Sequence, residues 1–230
     1  MRILFVAADK MEFAGAPDGA AAAQRLPLKV DWARQVRLGR HDGLLVANGV
    51  GAPRAAAAVE AACAAFRPEA IVSTGFCGAL DPALGVGTVV VATRILGGSD
   101  FPALPVRSGR AFHAGAVCSI DRVARTAGEK AGLRSSGACA VEMEAAGVAA
   151  RARDHGLPFY CIRAVTDLAG ETLQNDFNSA LRSDGHFATI SILASALRHP
   201  AARLPELVRL RRRSISASQT LGNFLADCNF

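Results

Sequence analysis

Ala140 to Asp167 reads AVEMEAAGVAARARDHGLPFYCIRAVTD. A strand-like run, Ala138 to Val141, delivers two carboxylates one residue apart, Glu142 and Glu144, and then yields to an Ala-rich helical pattern from Ala145 to Arg153. A second apolar run, Phe159 to Val165, follows Gly156 and Pro158 and ends on Thr166 and Asp167. Strands that read as near-continuous apolar runs are buried on both faces of an α/β sheet, and ligands gather beyond their carboxyl ends. This pattern predicts an α/β fold in which Glu144 and Asp167 share one cleft. Taken singly, each carboxylate is open to a plainer role. Glu142 or Glu144 would favour the positive N-terminus of the following helix, and Asp167 would cap the next element.

Taken together, the strings are more specific. Val-Glu-Met-Glu-Ala-Ala at 141–146, followed by Ile-Arg-Ala-Val-Thr-Asp at 162–167, resembles the nucleoside phosphorylase and nucleosidase superfamily, above all the methylthioadenosine/S-adenosylhomocysteine nucleosidases. The resemblance implies a three-layer αβα fold with a central mixed sheet, nucleoside phosphorylase-like. It covers residues 1 to about 197 and weakens between 95 and 138, where this chain is shorter than those nucleosidases.

Outward from the motifs, Arg2 to Ala8 reads as a first buried strand with Asp9-Lys10-Met11-Glu12 at its end, the position facing a cleft in an open α/β sheet. Glu12 alone is also readable as a solvated turn residue; the resemblance makes it the catalytic glutamate. Phe13 to Pro27 is Ala/Gly-rich and leaves loop and helix open. Val30 to Gly39 and Gly43 to Asn48 alternate around a hairpin expected at His41-Asp42-Gly43. Gly51 and Pro53 announce a helix running to Phe66. A dinucleotide fingerprint is disfavoured there, because it would follow the first strand.

Glu69 to Thr74 reads as a strand breaking at Gly75-Phe76-Cys77-Gly78-Ala79-Leu80, and Val86 to Ile95 as another. Glycines at a strand end let backbone amides approach a ligand, although a tight packing turn would look the same. By resemblance, Thr74, Gly75, Phe76 and Cys77 line the site beside the ribose and the nucleophile. Ser119 to Ala124 then corresponds to a base-stacking stretch, with Val123 where an aromatic ring is usual. Phe177 corresponds to an aromatic of the 5′ pocket, or is core. Helical patterns follow from Ser179 to Leu197, and Pro205 marks a helix start.

The resemblance assigns the chemistry. Asp167 is the acid that protonates the leaving purine, for which its carboxyl must hold a proton near neutral pH. Glu12 activates water. Glu142, Met143 and Glu144 hold the ribose, with Glu144 favouring the cationic transition state. The implied reaction is hydrolysis of the N-glycosidic bond of a 5′-substituted adenine nucleoside, releasing adenine. Two alternatives stand beside it: a phosphate-dependent phosphorylase, including the hopanoid-associated kind that removes adenine from a lipid-linked ribose, and a nucleoside-binding protein without activity. Hydrolysis is preferred because Arg54 is the only nearby cation for a phosphate.

Composition bounds the rest. With 230 residues and 51% hydrophobic content, the chain has ample material for a core. Its six cysteines are widely spread, without a C-x-x-C pair or a preceding secretory signal, and read as reduced residues of a cytoplasmic protein. The five histidines form no ligand-spaced cluster with them, so neither metal nor other cofactor is expected. No apolar run approaches the roughly 20 residues that span a bilayer.

Of the formal net charge of +6, the segment Arg198 to Arg213 carries +5, from six arginines and Glu206. We therefore divide the chain into a catalytic domain, 1–200, and a basic amphipathic helical extension, 201–230. The extension is open to peripheral contact with an anionic membrane or to packing on the domain with its arginines solvated. Nucleic acid is not expected, since no aromatic interleaves with those arginines. A homodimer is expected from the resemblance.

Overall fold

The computed structural model describes residues 1–16 and 26–230; most of the undecided stretch 13–27 thus lies outside the described residues. Among the described residues, nine strands build one mixed sheet: β1 (Arg2–Ala7), β2 (Trp32–Leu38), β3 (His41–Ala47), β4 (Ala70–Ala79), β5 (Val89–Leu96), β6 (Phe101–Pro102), β7 (His113–Ser119), β8 (Ala138–Glu142) and β9 (Phe159–Asp167). The helices are α1 (Ala52–Phe66), α2 (Ala127–Arg134), α3 (Ala145–Asp154), α4 (Phe177–Ala180), α5 (Thr189–Ala196) and α6 (Pro200–Asp227), with a 3₁₀ turn at Lys10–Phe13. The strand order is β2-β3-β1-β4-β8-β7-β5-β6, and β9 pairs with both β4 and β5. Strands β4, β9, β5, β7 and β8 therefore close on themselves at one side of the sheet, bringing the ends of β4, β8 and β9 together.

Side-chain alternation builds the three layers. On β1, Leu4 and Val6 join Ala58, Val59 and Ala62 of α1 and Val148 and Ala149 of α3 in one core. Ile3, Phe5 and Ala7 face the other way, against Leu221, Phe224 and Leu225 of α6. Small residues let the helices press close: a Cβ on Gly147 would stand 2.0 Å from Ala52 O, and one on Gly222 would stand 2.1 Å from Gly15 O. The second half of α6 thus forms the outer layer on the β1 side, while Val208 and Ile215 of the same helix are exposed.

Four local expectations change. The hairpin turns at Gly39-Arg40, not His41-Asp42-Gly43, which lie inside β3 paired with β2. Gly39 takes φ +56° there, and a Cβ on it would meet Ala226 O at 2.3 Å. Strand β4 does not break at Gly75 but continues to Ala79, because β9 goes on pairing with it beyond a bulge between Cys77 and Gly78. The pattern from Ser179 to Leu197 is interrupted between α4 and α5, where Gly185 (φ +75°) docks its carbonyl on the Val50 amide at 2.7 Å. Helix α6 starts at Pro200, leaving Pro205 inside it.

Candidate active site

A cavity of about 240 Å³ opens where the ends of β1, β4, β8 and β9 meet. Glu12, Phe76, Cys77, Val123, Glu142, Met143, Glu144 and Asp167 line it, together with Ala8, Val50, Gly78, Arg122, Ala124, Val141, Thr166 and Phe187. Most of the residues singled out in the sequence therefore converge.

Glu12 is carried by the 3₁₀ turn after β1. Asp9 caps that turn, accepting from the Met11 amide at 2.8 Å, and Glu12 closes a capping box by accepting from the Asp9 amide at 3.0 Å. The Ala8 amide donates to the same oxygen, Oε2, at 2.8 Å, and the Phe76 amide donates to Oε1 at 2.7 Å. Among the described residues the Phe76 amide is the one hydrogen-bond partner of Oε1, which leaves that oxygen able to accept from a ligand. Burial raises the Glu12 pKa despite these amides and the Arg163 charge, moving the group toward the range of a base useful near neutrality.

Glu142 and Glu144 do different work. Glu142 Oε2 accepts from the Arg163 guanidinium and from the amides of Glu144 (2.9 Å) and Ala145 (2.8 Å), anchoring the start of α3. Its Oε1 is buried without a hydrogen-bond partner among the described residues. Glu144 Oε1 accepts from the Gly51 amide at 3.0 Å, and Oε2 lies 3.6 Å from Arg163 Nη1. Burial, then the Glu142 charge, lifts its pKa to about 7.

Asp167 ends β9 beside Gly78, where a Cβ would stand 2.8 Å from Asp167 Oδ2. That oxygen lies 2.5 Å from Lys130 Nζ, and Thr166 Oγ1 lies 3.2 Å from Oδ1. Val123 is held by Asn178 through its amide (2.8 Å) and its carbonyl (3.0 Å).

Three of the sequence candidates stand off the cavity surface. Thr74 is buried, its carbonyl accepting from Arg163 Nη1 at 2.8 Å. Gly75 sits behind Glu12 with φ +133°. Phe177 meets Phe187 edge-on at 6.0 Å, and Phe187 is the ring that reaches the cavity. Among the described residues, no group of three or more His, Cys, Asp or Glu is placed to hold a metal ion.

A family model described as the phosphorylase superfamily matches residues 33–104 and 103–195. The chain belongs to the phosphorylase superfamily. A 5′-methylthioadenosine/S-adenosylhomocysteine nucleosidase of Geobacillus kaustophilus is 31% identical over an alignment of 180 residues that covers 63% of this chain and 76% of that one. The solved structure of the Campylobacter jejuni 5′-methylthioadenosine/S-adenosylhomocysteine nucleosidase has a TM-score of 0.72 at 17% identity, covering 98% of this chain and 97% of that one. A futalosine hydrolase mutant of Helicobacter pylori has a TM-score of 0.68 at 15% identity, covering 96% of each. The expected mixed-sheet fold holds.

Within this phosphorylase-superfamily site, sequence reasoning passed over Arg163, Lys130 and Phe187. Arg163 is fully buried and ties Glu142, Thr74 O and Ser73 Oγ (2.7 Å) together. Its signal was present, since a charge inside an apolar strand run requires a buried partner. Phe187 carried no signal, being brought in by the turn around Gly185.

Proposed function

We propose that this protein is a purine nucleosidase that hydrolyses the N-glycosidic bond of a 5′-substituted adenine nucleoside and releases adenine. The observation that carries the reading is the convergence of Glu12, Glu144 and Asp167 on one cavity. Breaking the bond requires a proton for the leaving base, stabilisation of a ribosyl cation and activation of water. Asp167 protonates the base, Glu144 with the Met143 backbone holds the ribose and favours the cation, and Glu12 Oε1 accepts a proton from the attacking water. The sequence relative named as a nucleosidase supports this assignment.

Water is preferred to phosphate on the charges near the nucleophile. Arg54 donates to Asn48 O at 2.7 Å and to Asp31 Oδ2 at 3.0 Å, so it is already engaged. Arg122 is the one cation among the described residues lining the cavity, and its guanidinium bridges to Glu129 at 2.7 Å. The deciding assay offers methylthioadenosine, S-adenosylhomocysteine, adenosine and a lipid-tailed adenosine, with and without phosphate. Free adenine formed in phosphate-free buffer is the expected result. Strict dependence on phosphate would replace hydrolysis by phosphorolysis, and turnover of none would leave a nucleoside-binding protein.

One observation favours a large 5′ substituent. A second space of about 730 Å³ shares Val50, Arg122 and Met143 with the first and continues past Pro53, Ile120, Ala146 and Leu181. Turnover confined to the lipid-tailed compound would select the lipid-linked reading.

The finer points are also proposals. We place the protein in the cytoplasm as a homodimer, which sedimentation at micromolar concentration tests. We assign the catalytic residues to 1–200, with the second half of α6 completing their fold, and a membrane-facing role to the basic start of the extension. Exposed Ile190, Leu193, Leu197 and Val208 lie near these arginines in sequence, and no helix of the described residues is long and apolar enough to cross a membrane. Flotation with anionic liposomes, lost on Arg211→Glu with Arg212→Glu, tests that contact.

A further inference from the structure

Lys130 is a fully buried lysine on α2 in a chain whose other lysines are Lys10 and Lys29 and which otherwise draws its positive charge from arginine. Its Nζ lies 2.5 Å from Asp167 Oδ2 and 2.8 Å from Leu168 O. The helix that carries it is fastened at its start. Thr126 Oγ1 accepts from the Glu129 amide at 3.0 Å, Glu129 accepts from the Arg125 amide at 3.0 Å, and the Glu129 carboxylate pairs with Arg122.

Burying an ammonium is costly, and a buried ion pair is commonly matched or bettered in stability by apolar side chains of similar volume. Stability alone therefore does not explain a charge in this place. Geometry does. Asp167 Oδ2 is confined between the Lys130 ammonium and the bare Cα of Gly78, whose missing Cβ would come within 2.8 Å of it. Oδ1, whose one partner among the described residues is the Thr166 hydroxyl at 3.2 Å, remains for a ligand. A compact ammonium suits this spot better than a planar guanidinium, which would spread its donors over a wider fork.

We propose that Lys130 is a positioning residue for the leaving-group step, an inference that rests on the nucleosidase reading above. It aims Asp167 Oδ1 at the departing base and stabilises the carboxylate that the reaction leaves behind. In that step the C1′–N bond breaks with its electron pair going to the base. The base takes a proton that Asp167 Oδ1 relays from solvent, and the carboxylate this leaves is matched by the ammonium already beside it. Water bonds to C1′ and gives a proton to Glu12, which returns it to solvent, so charge and protons balance and both carboxylates are restored over the turnover.

The test uses the full chain as wild type, Lys130→Met and Lys130→Gln, with circular dichroism to establish folding. Each is assayed on the nucleoside that the wild type turns over fastest and on p-nitrophenyl riboside, whose leaving group needs no proton. Lys130→Met is expected to lower kcat on the nucleoside by about 10²-fold with KM changed by less than about threefold, and to leave p-nitrophenyl riboside turnover within about threefold. Lys130→Gln retains donors for Asp167 and Leu168 without the charge, so it holds the fold should the methionine variant fail, and it is expected to show the same loss. Added to Asp167→Asn, either substitution is expected to lower the rate no further, since both remove one unit of function. Equal losses on the two substrates in a folded protein, wild-type nucleoside turnover by Lys130→Gln, or full additivity with Asp167→Asn would overturn the proposal. A wild type that releases base from no nucleoside would instead overturn the nucleosidase reading.

Discussion

The carboxylate of Glu12 occupies space that a side chain at residue 75 would need: a Cβ on Gly75 would stand 2.3 Å from Glu12 Oε1 and 2.9 Å from Arg163 Nη1. Gly75 also has φ +133°, a backbone conformation that L side chains rarely adopt. Gly75→Ala is therefore expected to displace the proposed base. It should cost roughly 1–3 kcal/mol of stability and lower kcat by about 10²-fold or more. Urea denaturation and steady-state kinetics read the two effects separately, and a variant with wild-type kcat would show that Glu12 need not sit there.

Glu12→Gln keeps the volume and an acceptor for the Phe76 amide but removes the basic group. Because Glu12 Oε1 also holds that strand amide at 2.7 Å, the comparison must be made on a folded protein. A fall in kcat of about 10²-fold or more is expected with far-ultraviolet circular dichroism unchanged. Near-normal turnover would reduce Glu12 to the capping role it also has.

The raised pKa of Glu144 has a consequence for stability. The folded value of about 7 lies above the ordinary 4.5, so between these limits the folded chain binds more protons than the unfolded one. The contribution is full below about pH 4.5 and is lost as pH rises through 7, in total on the order of 3 kcal/mol. Glu12 shifts in the same direction. Urea midpoints between pH 5 and 8 should fall with rising pH in the wild type and fall less steeply in Glu144→Gln. Equal slopes would contradict this assignment.

Arg163 neutralises the acidic floor of the site. Replacing it by Met leaves Glu142 buried opposite Glu144 without its guanidinium partner, and removing one member of a buried pair costs about 3–5 kcal/mol. Arg163→Met is expected to lower the thermal midpoint sharply and to abolish activity. A shift of only a degree or two would mean that the buried carboxylates relax by other means.

Helix α6 bears on the site through Ser218, whose hydroxyl accepts from the Gly15 amide at 2.8 Å and donates to Met11 O at 2.9 Å, gripping the turn that carries Glu12. Its Phe224 is fully buried against the sheet. Phe224→Ala should cost about 3–5 kcal/mol, and removal of residues 201–230 should leave a chain that no longer unfolds cooperatively. Cooperative unfolding of the shortened chain would instead make α6 a separable extension.

What the sequence by itself determined follows from local rules. Apolar runs located β1, β8 and β9, because burial on both faces leaves a continuous hydrophobic signature, and Gly51 with Pro53 marked the start of α1. The paired motifs brought Met143, Glu144 and Asp167 forward because their residue types and order are themselves the signal, and Glu12 followed from its place at the end of the first strand. Tertiary structure alone decided the rest. It carried β4 through Gly75, since pairing with β9 outweighs the local breaking tendency of glycine, and it moved the hairpin to Gly39-Arg40, where Ala226 of α6 leaves no room for a Cβ. It also placed Phe187 in the cavity, folded α6 over the Glu12 turn, and set Lys130 beneath Asp167 across 37 residues of chain. These contacts depend on which segments the sheet closure and helix packing bring together, and periodicity within any one segment carries no information about that.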